Sequence, residues 1–212
     1  MNAIETFEVG KYKVEIYADE CPMNPRENCD NDDVIVAFHK RYRLGDDVEK
    51  HGYRWQDFDG WDALEAQIIK DHDPVVIKPL YLYDHSGITI STSPFSCPWD
   101  SGQIGFVFMP KKGAYNAYMT KRITKKIRER CEQYVDATVK EYDDFISGNC
   151  YGYRIEDENG EEIEDLACWG FYGMEYVKKE ATEAVNHLIA NPPKPKPQPE
   201  DPNQLKLALT PA

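Results

Sequence analysis

Nowhere does the chain approach the roughly 18 consecutive apolar residues that a membrane-spanning helix needs, so no span is expected. The opening MNAIETFEVG has neither a basic start nor an apolar stretch behind it, which argues against a signal peptide and for a cytoplasmic protein without a membrane partner. Close CxxC pairs and HxxxH spacing are missing, and with them the usual signature of structural zinc. Cys21 and Cys29, with His39 nearby, do not replace it, and no metal or other cofactor is expected. GxxxxGK[ST] and GxGxxG are absent, so nucleotide hydrolysis by those routes has no support. Cysteine is thinly spread: Cys21, Cys29, Cys97, Cys131, Cys150 and Cys168 stand singly, which fits reduced thiols better than a disulfide framework.

What the 212 residues do contain is enough apolar material, 41%, to bury a core in one domain, and an excess of acid that sets the net charge at -13. The charges are segregated. Between 111 and 130 stand Lys111, Lys112, Lys121, Arg122, Lys125, Lys126, Arg128 and Arg130, opposed only by Glu129; between 141 and 165, acids surround the single Arg154. A long basic helix followed by an acidic hairpin is the expected result. Lys121, Arg122, Lys125, Lys126 and Arg128 could track phosphates, while the acidic surface could engage a nucleic-acid-binding protein by presenting charge where it expects phosphate.

Periodicity gives an α+β order. Lys11 to Ala18 alternates as a half-buried strand, and Val34 to Phe38 is a short apolar strand after the structure-breaking CPMNPRENCDNDD. Gly60 to Asp71 reads as a helix with Asp59 as N-cap and Trp61, Leu64, Ile68 and Ile69 along its stripe. Val75 to Tyr83 is a strand interrupted by Pro79, which calls for an edge position or a bulge. Ile88 to Ser91 and Ile104 to Met109 are further strands. Ile127, Cys131, Tyr134, Val135, Thr138, Val139, Tyr142, Phe145 and Ile146 recur at helical spacing until Gly148. Tyr151 to Ile155 and Ile163 to Phe171 flank a turn at Glu158-Asn159-Gly160, and Met174 to Ala190 makes a last helix. The expected fold is a mainly antiparallel sheet packed by a long amphipathic helix and a C-terminal helix: one domain over 1–190, a disordered proline-rich linker over 191–202 and a short peptide over 203–212.

Candidate chemistry concentrates in YLYDHSGITISTSPFSCPWDSGQIGFVF, 81 to 108. If the protein is an enzyme, a cysteine-dependent hydrolase using Cys97 as nucleophile and His85 as base, with Asp84 or Asp100 in support, is the form it would take. The structural alternative has Asp84 and Ser86 building a turn around Gly87, and Pro94, Pro98 and Gly102 holding a rigid loop with Trp99 packed beneath it.

YLYDHSGITISTSPFSCPWDSGQIGF, with FHKRYRLGD upstream and CWGFYG downstream, resembles an uncharacterised family found on bacteriophages and other mobile elements. The resemblance implies a setting inside a prokaryotic host, where copying DNA and evading defence are the common tasks. Beyond the proline-and-charge alternation of NPPKPKPQPEDP, Gln204-Leu205-Lys206-Leu207-Ala208-Leu209 resembles the Gln-Leu-x-Leu-x-Leu hexapeptide by which bacterial replication factors dock on the β sliding clamp. Gln204 would hydrogen-bond at the pocket rim, Leu205 and Leu207 would fill the groove, and Leu209 would take a second subsite. The leading expectation is therefore a non-enzymatic accessory protein held at the host clamp, its body engaging DNA or a host DNA-binding or defence protein. An anti-CRISPR or anti-restriction inhibitor acting as an acidic DNA mimic is the variant within that class.

Overall fold

In the computed structural model, which describes residues 2–27 and 30–192, two antiparallel four-stranded sheets replace the one expected from the sequence. The first contains β1 (Glu5–Val9), β2 (Tyr12–Ala18), β7 (Cys150–Glu156) and β8 (Cys168–Tyr172), in the order β1-β2-β7-β8. The second, built from the middle of the chain, is ordered β3-β6-β4-β5, from β3 (Val34–Ala37), β4 (Val76–Asp84), β5 (Ile88–Ser91) and β6 (Ser101–Met109). Among the described residues five α-helices complete the α+β fold: α1 (Val48–His51), α2 (Trp61–His72), α3 (Lys111–Ala117), α4 (Lys125–Ile146) and α5 (Met174–Ala190). None of these is long and apolar enough to cross a membrane.

Alternation along the strands decides which helix covers which face. In β2 and β7, Val14, Ile16, Tyr153 and Ile155 share one face and pack on Val177, Ala181, Val185 and Leu188 of α5. In the middle sheet, Ile35, Leu80 and Val107 pack with Cys131, Val135, Val139 and Tyr142 of α4. The opposite face presents Val36, Phe106 and Phe108 to Leu64 and Ile68 of α2. Burying Val135 and Val139 contributes about 1.5–3 kcal/mol each, which is how a helix with so polar an outer face is held.

Pro79 sits where both of its expected solutions occur together. β5 pairs only with Tyr81 to Asp84, so the β4 backbone at Pro79 has β6 on one side alone, and the ladder shifts register between Leu80 and Tyr81. The shift also carries Ile104 to the α4 face although Phe106, two residues on, faces α2.

The termini of α4 follow its sequence. The Thr124 hydroxyl accepts from the Ile127 N–H at 3.3 Å. At the other end Gly148, at φ 76°, lets Asn149 N–H reach Asp144 O (2.7 Å) and Gly148 N–H reach Phe145 O (3.1 Å), the paired bonds of a Schellman motif.

Three expectations are corrected. Gly60, not Asp59, is the N-cap of α2, and no side chain caps it. The basic segment 111–130 is not one helix: α3 ends at Ala117, Met119 takes a positive φ of 46°, and α4 begins only at Lys125. Ile163 to Phe171 is not one strand; after an isolated Glu156–Glu162 bridge a 3-10 turn spans Glu164–Leu166, and pairing resumes at Cys168. β1, an element not assigned from the sequence, is held by its half-buried Phe7 and Val9, which pack on the α5 core.

Candidate functional site

The ends of β3, β4 and β6 meet the segment 38–56 around an open cleft of about 1330 Å³. Its base is pinned. Phe38 N–H donates to Ile104 O at 2.7 Å, Gly45 N–H donates to the Tyr142 hydroxyl at 2.9 Å, and Val36 bridges to Gly45. Gly45 takes φ 75°, and a Cβ there would lie 2.7 Å from Ile35 O, so only glycine allows the approach. Behind it Asp46 accepts from Ile35 N–H at 2.8 Å and from the buried Arg26 guanidinium. Between Phe38 and Gly45 the arc His39-Lys40-Arg41-Tyr42-Arg43 is thrown outward, with His39 stacked on Tyr42 at 5.0 Å and 8°.

An aromatic wall faces that arc. Trp55 and Trp61 lie 4.3 Å apart, Phe38 is 5.9 Å from Trp55, and Trp99 stands at the mouth 91% exposed. Trp99 therefore does not pack beneath its loop as the prolines around it suggested. The turn expected around Gly87 is present, with Ser86 at φ 58° and His85 N–H donating to Gly87 O at 3.0 Å.

His51 lies under the cleft, buried, its Nδ1 accepting from Tyr53 N–H at 3.0 Å and its ring stacked on Tyr53 at 5.8 Å. Burial holds its pKa below the usual histidine value, against the upward pull of Asp46, Asp47 and Glu49. A base depressed in the folded state binds fewer protons there than when unfolded, so stability is fully present above the unfolded value near 6.5 and falls as pH drops below it. Urea midpoints measured from pH 7 to 5 are expected to decline, and His51→Asn, which retains an acceptor for Tyr53, is expected to flatten the decline. An unchanged slope in the variant would remove His51 as its source.

The proposed hydrolase residues do converge at this end of the middle sheet, in an order that differs from a nucleophile-base pair. Asp100 Oδ2 lies 3.3 Å from His85 Nδ1 and accepts from the Cys97 thiol at 3.8 Å. Asp100 thus stands between the two, whereas general-base activation puts the imidazole between thiol and carboxylate. Among the described residues no hydrogen bond joins Cys97 to His85. Asp84 is engaged elsewhere, pairing with Arg41 and accepting from Tyr42 at 3.3 Å.

The basic cluster read from the sequence lies at the opposite end of the same sheet. Arg128 donates to Val75 O, just before β4, while the cleft is lined by Asp84 at the far end of that strand. Lys125 lies 3.9 Å from Glu129, and Lys121, Arg122 and Lys126 are exposed. Three acids of the hairpin are ion-paired: Glu156 with Lys13 of β2 (3.0 Å), Glu158 with Lys11 just before β2 (3.0 Å) and Glu162 with Arg154 (3.5 Å). Asp157 accepts from Asn159 and Glu161 N–H, which holds its carboxyl below the usual range.

Among the described residues no group of three or more His, Cys, Asp or Glu side chains is placed to hold a metal. Cys29 lies outside the described residues, as do Gln204, Leu205, Leu207 and Leu209 of the tail peptide. Comparison with protein-family models, curated proteins and solved structures gave no match.

The cleft was missed from the sequence because its cations come from 40–54 and its aromatic side chains from 38, 55, 61 and 99. Only the short HKRYR run within FHKRYRLGD could have signalled it.

Proposed function

We propose that this chain is an accessory protein of a bacteriophage or other mobile element that is addressed to the host β sliding clamp by its C-terminal hexapeptide. The observation that carries the reading is the peptide Gln204-Leu205-Lys206-Leu207-Ala208-Leu209, set a dozen residues beyond the last helix by a spacer that alternates proline with charge. At about 3.1 Å per residue in polyproline II, such a spacer would reach some 35–40 Å. Supporting it, Leu188 is the last buried residue among those described, and Asn191 and Pro192 after α5 are exposed, so the chain leaves the body at its surface.

Docking through a short peptide gives specificity of place with modest affinity, in the micromolar range, and effective concentration then raises occupancy of a second contact made by the body. Lys121, Arg122 and Lys126, exposed around the start of α4, are suited to that contact with DNA at the clamp. The protein would act there by binding rather than by catalysis, a reading supported by the position of Asp100 between Cys97 and His85.

The test is retention of the purified chain on immobilised bacterial β clamp, comparing wild type with a Gln204→Ala, Leu207→Ala, Leu209→Ala triple variant and with a chain ending at Asn191. Wild type is expected to be retained and both variants lost. Retention of the shortened chain at wild-type level would move the contact to the body and end the tail reading.

A further inference from the structure

We infer that the cleft at the end of the middle sheet is a binding site for single-stranded nucleic acid, with Lys40, Arg41, Arg43 and Arg54 taking phosphates and Trp99 stacking on a base. This site is separate from the tail and from the basic start of α4, and the inference does not depend on the clamp reading.

Three observations converge. The first is charge. In a protein of net charge -13, the cleft gathers cations whose ends remain available. Lys40 and Arg54 are exposed and make no ion pair among the described residues. Arg41 and Arg43 pair with Asp84 and Asp47, yet their side chains stay 68% and 84% exposed, leaving guanidinium donors for a ligand. Of the lining carboxylates, Asp46 is paired with Arg26 and Lys50, Asp47 with Arg43 and Asp84 with Arg41, while Asp100 meets His85 and the Cys97 thiol and Glu49 makes no ion pair among the described residues. The lining is therefore close to charge-balanced, and the positive groups that a ligand would meet are the unpaired Lys40 and Arg54 and the outward guanidinium edges of Arg41 and Arg43.

The second is the aromatic wall. Trp99 exposes nearly its whole indole at the mouth, with the half-buried Trp55 and Trp61 farther in. Exposed cations beside aromatic side chains are the combination that binds single strands, because phosphates meet the cations and unpaired bases expose a face to stack. A duplex hides those faces inside its own stack, so the wall selects against it. The third is size. At about 1330 Å³ the cleft exceeds the roughly 300–1,000 Å³ of ordinary small-ligand pockets and is open, which suits a strand passing through rather than one enclosed nucleotide.

The experiment measures anisotropy of a fluorescein-labelled thymidine dodecamer, and of its uridine counterpart, against the full-length protein, from about 50 to 200 mM salt. At least one of the two is expected to bind, more weakly as salt rises, and at least tenfold more tightly than a twelve-base-pair duplex. Lys40→Ala/Arg54→Ala and Trp99→Ala, all exposed positions, are each expected to weaken binding at least tenfold while keeping the wild-type circular dichroism and melting temperature. Lys11→Ala/Lys179→Ala, at exposed positions that do not line the cleft, is expected to change it less than twofold, and Lys121→Ala/Lys126→Ala measures separately what the basic start of α4 contributes. The proposal is overturned if neither oligonucleotide binds at the lowest salt, if the duplex binds as tightly, or if only the Lys121/Lys126 variant loses affinity. It is equally overturned if poly-glutamate displaces the strand at equal charge concentration, since the cleft would then be reading an acidic polypeptide.

Discussion

Arg26→Met is expected to cost about 3–5 kcal/mol. Arg26 is 4% exposed and sits between two fully buried carboxylates. Its Nε and Nη2 donate to Asp46 at 3.2 and 2.8 Å, Nη1 donates to Asp33 Oδ1 at 2.9 Å, and Nη2 also reaches Asp33 O at 3.1 Å. Burial pushes the Asp33 carboxyl up, and the charge of Arg26 is the main force opposing it. Among the described residues, Asp33 Oδ2 already lacks a hydrogen-bond partner, so the site has no reserve when the guanidinium is removed. Methionine keeps the stem and deletes the charge, which strands Asp33 and leaves Asp46 with Lys50 and the Ile35 N–H. Urea unfolding followed by tryptophan fluorescence reads the loss, and adding Asp33→Asn and Asp46→Asn to the variant is expected to recover part of it. A loss below about 1 kcal/mol would mean that the cluster is not the clasp its burial implies.

Gly105→Ala is expected to cost about 3 kcal/mol or more, because the added Cβ would stand 1.8 Å from Val36 O and 2.9 Å from Ala37 Cα. Both obstacles are backbone of β3, so no side chain can swing aside; the β3–β6 pair must open where Ala37 faces Gly105. That pair carries the start of the 38–47 arc, so the cleft should be disturbed along with the fold. Gly102→Ala in the same strand is the control: its Cβ would meet nothing within 4 Å, and the change should stay within about 0.5 kcal/mol. Equal losses in the two variants, read as urea midpoints, would contradict the close approach.

What could be read from the sequence was what repeats locally. β2 and α4 follow from alternation and helical spacing, and α5 from its apolar stripe ahead of Asn191-Pro192. What could not be read depends on distant partners. In α3, KKGAYNA has no periodic stripe; Gly113 is there because a Cβ would lie 2.0 Å from Asp32 O. Arg26, Asp33 and Asp46 look like ordinary surface charges in a loop of prolines and asparagines, and only folding reveals that they are buried together. The candidate hydrolase residues show the reverse case. Sequence proximity put Cys97, His85 and Asp100 in one stretch, but it could not show that the carboxylate takes the middle place. Charge counting found the linear run at 121–128 and passed over the cleft, whose cations and aromatic side chains converge from separate elements.

The central claim is that the C-terminal hexapeptide addresses this protein to the clamp, and calorimetric titration of the full-length chain into purified bacterial β clamp tests it most directly. The expected result is saturable binding with a dissociation constant in the micromolar range, abolished by the Gln204→Ala, Leu207→Ala, Leu209→Ala substitutions and competed by a synthetic peptide of residues 203–209. Absence of binding by the wild-type chain at concentrations well above that range, or binding that the free peptide fails to displace, would contradict it.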